Sequence, residues 1–143
     1  MPKACFLKED ALQERTFRLD ATSSANASGG DKLKVQTRKV GASLVVRLSG
    51  ELDLATAEIF RRTVDAQLAK DGCSNLILVL KNVTFIDSSG IGAILGRYRL
   101  IRERQGRVIA TGLRPAVRRV LEMSGVLRVV ETAETEQQAL ESL

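Results

Sequence analysis

Histidine is absent from this chain, and tryptophan with it. Without histidine there is no Ser-His-Asp triad, no imidazole general base and no His-ligated metal. The two cysteines, Cys5 and Cys73, stand far apart and form no CxxC pair. Four Cys/His ligands for a structural zinc therefore cannot be assembled. Aromatic residues make up only 3% of the sequence, a poor supply for base stacking. No run approaches the roughly 18 consecutive apolar residues of a membrane helix. The opening MPKACFLKEDALQERTF lacks the apolar core of a signal peptide. These absences remove most hydrolases, metalloenzymes and membrane-spanning readings. With so few cysteines, they predict a protein of the reducing cytoplasm.

What is present is an ordinary globular composition. Of 143 residues, 44% are hydrophobic and 27% charged, enough for one domain with a real core. Lys and Arg number 22 against 17 Asp and Glu, a net charge of +5. That balance raises nucleic acid or an anionic surface as partners, and only the charge speaks for nucleic acid. Residues 1–31 end in the Ser/Asn/Ala/Gly-rich ATSSANASGGD and show no apolar period. They read as a flexible N-terminal leader, with a folded domain over 32–143.

From Lys32 onward the period becomes legible. Leu33, Val35 and Thr37 alternate with polar residues, as do Leu44, Val46 and Leu48, around a turn at Val40-Gly41-Ala42. This predicts an antiparallel hairpin with one buried face. Ala57, Phe60, Val64 and Leu68 fall at helical spacing, with Asp53 as the expected N-cap and Asp71-Gly72 as the stop. Residues 75–81 (NLILVLK) read as a strand buried on both faces. Ile91, Ile94, Leu95, Tyr98 and Ile101 mark a helix running towards Gly106, and residues 107–111 a further strand. Pro115 opens a helix that buries Val117, Val120 and Leu121 and stops at Ser124-Gly125. Residues 126–130 are the expected last strand. A closing helix within 132–143 buries Ala139, Leu140 and Leu143. The order ββαβαβαβα predicts an α/β fold: a mixed sheet of parallel strands plus an N-terminal antiparallel hairpin, with four helices.

Ligands of parallel sheets collect at the carboxyl ends of strands. Asp87-Ser88-Ser89-Gly90 occupies such a loop, with Ser89 at or near a helix N-terminus whose free amides and dipole favour an anion. Simple capping by Asp and Ser competes with that reading, and one of the two serines is surplus to it. Gly90, Gly92 and Gly96 spell GxGxxxG, one residue longer than the dinucleotide fingerprint and in the wrong βαβ unit. Gly92 and Gly96 share a helix face, which suits either close packing on the sheet or approach of another protein. Glu51 and Asp53 lie in a loop expected at the same sheet end; they are either paired carboxylates or a cap and a solvated charge. Arg97, Arg104 and Arg107 approximate one side of a helix, while Arg99 and Arg102 point elsewhere. With Arg114, Arg118 and Arg119 they read as a solvated face or a partner-steering one. A serine-nucleophile enzyme built on Ser89 would need a lysine base, and Lys81 is the one near in sequence.

Taken together, Gly50-Glu51-Leu52-Asp53, Phe85-Ile86-Asp87-Ser88-Ser89-Gly90-Ile91-Gly92, Arg114-Pro115-Ala116-Val117 and Met123-Ser124-Gly125 resemble the STAS-domain family. Within it the chain looks most like the anti-sigma factor antagonists of the sporulation sigma-F type. The resemblance covers residues 32–143 and implies a single STAS domain without catalytic activity. It implies partner switching, in which the unphosphorylated antagonist binds an anti-sigma factor that is also a GHKL-type serine kinase, freeing the sigma factor. Phosphorylation at Ser89 switches it off, and a PP2C-type phosphatase reverses this. The implied partner surface is Glu51, Leu52, Asp53, Asp87, Ser88, Ser89, Gly90, Ile91 and Gly92. No cofactor or metal is implied for this chain, and neither nucleic acid nor membrane is an expected direct partner. A STAS regulator of a general-stress kinase circuit is the alternative.

Overall fold

The computed structural model describes residues 32–143; the leader expected over 1–31 lies outside them. Strands β1 (Leu33–Val40) and β2 (Ser43–Leu52) form the antiparallel hairpin. Then follow α1 (Ala57–Asp71), β3 (Asn75–Ile86), α2 (Ser88–Glu103), β4 (Val108–Thr111) and α3 (Pro115–Met123). A 3₁₀ turn over Val126–Arg128 leads to β5 (Glu131–Ala133) and α4 (Glu136–Glu141). Strand order in the single sheet is β1-β2-β3-β4-β5, and β2 to β5 are mutually parallel. This is the α/β mixed sheet with four helices that the periodicity predicts.

The three right-handed crossovers all step the same way along the sheet, so they put α1, α2 and α3 on one face. The main core lies there. Phe60, Val64 and Leu68 of α1, Ile94 and Ile101 of α2, and Val117 and Leu121 of α3 cover Leu44, Val46, Leu76 and Leu78. The opposite face carries a smaller core of Val45, Ile77, Ile109 and Ala139, closed by α4.

Several local expectations are corrected. The hairpin is not buried on one face only, because α4 returns to cover Val45. Asp53 is not the N-cap of α1; it closes the turn before it, and Thr56 holds the cap position. Strand β3 continues past residue 81 to Ile86, and α2 stops at Glu103, short of Gly106. Residues 126–130 form no strand. Val126 and Val130 are both buried but stand four apart, so a helical turn buries them together, with the Val130 amide donating to the Val126 carbonyl at 2.9 Å. The short segment Glu131–Ala133 takes the edge position instead. The closing helix is short: Ala139 is buried and Leu140 half-buried, while Leu143 lies beyond it, exposed.

Candidate functional site

Because β2 and β3 run parallel with Leu52 opposite Ile86, the segments that follow them emerge side by side. Asp87 joins the two. Its Oδ1 accepts hydrogen bonds from the amides of Ser89 (2.9 Å) and Gly90 (3.1 Å), capping α2. Its Oδ2 accepts from the Leu54 amide of the neighbouring loop at 3.2 Å, and its own amide donates to the Leu52 carbonyl at 3.2 Å. Gly90 permits this closeness. A Cβ there would stand 2.5 Å from the Leu52 carbonyl oxygen and 2.8 Å from Leu52 Cγ.

The β2–α1 loop is built as tightly. Asp53 Oδ1 accepts from the amides of Ala55 (3.0 Å) and Thr56 (3.2 Å), and the Thr56 hydroxyl accepts from the Asp53 amide at 2.9 Å. That hydroxyl donates to the Glu51 carbonyl at 2.8 Å. Lys32 Nζ donates to Asp53 Oδ2 at 3.1 Å and stands 3.9 Å from Glu51. Gly50 has φ +121°, and a Cβ there would collide with the Lys32 carbonyl, which accepts from the Glu51 amide at 2.7 Å. Burial pushes the Asp53 carboxyl up, but the bonds from Lys32 and Thr56 outweigh it and hold the group below the usual carboxylate range. The bond to Asp53 in turn raises the Lys32 ammonium. Asp53 is thus a committed anion with no proton to give near neutrality, so paired acid/base carboxylates find no support here.

The expected site residues gather at this one end, in two classes. Leu52, Asp53, Asp87 and Gly90 are internal fasteners; Leu52 is fully buried. Ile91 packs partly into the core. Glu51 and Ser89 are half-exposed, and Ser88 and Gly92 are exposed. Asp87 does the capping alone, and among the described residues neither serine hydroxyl has a hydrogen-bond partner. The amides expected to cradle an anion at the start of α2 are already taken by Asp87. Gly92 and Gly96 face open space, so sheet packing does not account for them.

Three contributors escape the sequence reading. Leu54 is 79% exposed and Phe85 48% exposed, giving this end an apolar rim. Lys32 is the third; the hairpin register, which sets Leu33 opposite Gly50, would have located it. The arginines divide. Arg97 is buried and faces Asp65 of α1 at 2.9 Å, and Arg104 donates to the carbonyls of Leu68 and Cys73. Arg107 pairs with Glu131 instead. Lys81 lines a cleft on the α4 face with Arg47, Thr111 and Glu134. Five strand residues, about 17 Å of extended chain, separate it from the end of β3, so a Ser89–Lys81 nucleophile pair is not assembled.

Comparison with known proteins places this geometry. The STAS domain model matches residues 34–139. The chain belongs to the STAS domain family. It is 39% identical over 111 residues to the anti-sigma F factor antagonist of Paenibacillus polymyxa, covering 78% of this chain and 95% of that protein. It is 28% identical to the anti-sigma-B factor antagonist of Listeria monocytogenes, over 62% of this chain and 77% of that one. Among solved structures it resembles the Bacillus antagonist SpoIIAA in its unphosphorylated form, with 28% identity and a TM-score of 0.62 over 76% of this chain and 96% of that one. The phosphorylated form of SpoIIAA gives 31% identity and a TM-score of 0.61, over 76% and 97%. These STAS relatives are regulatory proteins. Among the described residues no helix is long and apolar enough to cross a membrane.

Proposed function

We propose that this STAS protein is an anti-sigma factor antagonist of the sigma-F type, working in the cytoplasm by partner switching and without catalysis of its own. Unphosphorylated, it binds an anti-sigma factor that is also a GHKL-type serine kinase, and so frees the sigma factor. The kinase phosphorylates Ser89, and a PP2C-type phosphatase restores the binding form. The observation that carries this is the position of Ser89. Its hydroxyl is surplus to the cap, half-exposed, and set on an end rimmed by the exposed Leu54 and Phe85. Leu54, Phe85, Glu51, Ser88 and Gly92 are the contact residues of this reading. Leu52, Asp53, Asp87 and Gly90 position them. The higher identity to the sigma-F antagonist than to the sigma-B one favours the sporulation-type circuit over the general-stress one.

Electrostatics make the switch. A phosphoryl group adds about −1.5 to −2 charge at pH 7. On Ser89 it would join Asp87 and the half-exposed Glu51 at one end of the sheet, with the start-of-helix amides already occupied. Each 1.4 kcal/mol of repulsion or lost desolvation weakens a complex about tenfold. No rearrangement of the antagonist is required.

Incubation with the cognate kinase and ATP is expected to add one phosphate, located by peptide mass spectrometry at Ser89 and not Ser88. Ser89→Ala keeps the complex and abolishes labelling, whereas Ser89→Asp weakens the complex. A phosphate on Ser88, or equal kinase affinity for the wild type and the authentic phosphoprotein, overturns the proposal.

A further inference from the structure

Residues 82–143 contain nine arginines and no lysine, although seven lysines precede them. The structure sorts eight of these arginines; the ninth, Arg128, is exposed on the 3₁₀ turn that follows α3. Arg97, Arg104 and Arg107 are engaged within the molecule, as described, and Arg114 donates to the Lys81 carbonyl at 2.8 Å. On the α4 side, Arg38 and Arg47 share the carboxylate of Glu136. By contrast, Arg99 and Arg102 on α2 and Arg118 and Arg119 on α3 are exposed, and none has an ion-pair partner among the described residues.

These four lie on neighbouring helices of one sheet face. Arg99 and Arg102 are three apart on α2, so their side chains are neighbours. On α3, Arg119 stands one turn from Met123, which is 81% exposed. Because β4 ends opposite Val79 while β3 runs on to Ile86, α3 starts beside Lys81, set back from Ser89 along the same face. Arg99 is ten residues along α2, about 15 Å from it at 1.5 Å per residue. Arginine and methionine are enriched in protein interfaces and lysine is depleted. Glu103 and Glu122 punctuate the surface. They oppose a continuous phosphate backbone but are compatible with a partner of mixed charge.

We propose that the outer face of α2 and α3 is a second docking surface, which steers and seats an acidic face of the anti-sigma factor while the Ser89 end supplies the switch. This rests on the antagonist reading above. Complementary charge acts chiefly on the association rate and fades as salt rises.

The test uses the full chain and the purified anti-sigma factor of the same organism, with association rates measured across a series of NaCl concentrations. Arg99→Glu/Arg102→Glu and Arg118→Glu/Arg119→Glu are each expected to slow association at least tenfold at low salt and to flatten its salt dependence. Lys34→Glu/Lys70→Glu carries the same change in net charge on β1 and α1 and stays within twofold of wild type. Circular dichroism confirms that all three fold. An unchanged rate in the α2 and α3 variants, or an equal loss in the Lys34/Lys70 control, overturns the proposal but leaves the antagonist reading standing. So does tight binding of a short DNA duplex abolished by the same arginine reversals while the protein complex is unaffected. Absence of any complex with the wild-type chain overturns both.

Discussion

At the scale of single residues, the candidate site depends on one missing side chain. Gly90 lets the first turn of α2 rest against the Leu52 carbonyl, and the contacts a methyl group would make there involve backbone, which yields poorly. Gly90→Ala is expected to destabilise the fold by about 1–3 kcal/mol, the usual range for overpacking. Calorimetry checks this, since ~1 kcal/mol lowers the midpoint of a small domain by about 4–8 °C. Gly92→Ala, pointing into open space, leaves the midpoint unchanged or raised. Asp87, Ser89 and Gly90 are legible in sequence because loop, cap and glycine are adjacent in the chain. Lys32 and Leu54 are not, because each meets the site through a partner more than twenty residues away. Nor does periodicity foretell that Leu52 would be sealed under a neighbouring glycine.

At the scale of elements, α4 shows how a short helix can bind a sheet. Its first residue, Glu136, accepts bonds from Arg38 of β1 (2.7 Å) and from Arg47 of β2 (2.8 and 3.0 Å). Burial pushes the Glu136 carboxyl up, yet the two guanidinium groups prevail and hold it below its ordinary value. A depressed carboxylate contributes stability that is complete above its unfolded pKa, about 4.3, and is lost as pH falls through the folded value. Urea unfolding should therefore show Glu136→Gln less stable than wild type by roughly 1–2 kcal/mol at pH 7. The gap narrows as pH is lowered from about 5 to 3. The long amphipathic elements α1, α2 and β1 announce themselves by period alone. In the long elements only the ends are misplaced; the element whose type is mistaken is too short for a period. The buried pair Val126 and Val130 fits a strand and a helical turn equally well on paper. Only tertiary packing selects between them, and β5, three residues with two of them polar, is too short to carry a signal.

At the scale of the whole molecule, both faces of the sheet are closed by residues 32–143. Residues 1–31 offer no periodic apolar face with which to add to that burial. Deleting them is expected to leave the thermal midpoint within about 4 °C of the full chain; a larger fall would show that they contribute to the core. The sheet itself has a simpler property than its mixed directions suggest. Spatial order and chain order coincide, and every strand lies beside the strand made immediately before it. Loop closure during folding never spans more than one crossover, which keeps the entropic barrier of each pairing modest. On the ribosome, where chains fold as they are made, each emerging strand finds its template already present. The sheet can grow outward strand by strand from its first hairpin, and only its second face waits for the final helix, α4, to close it.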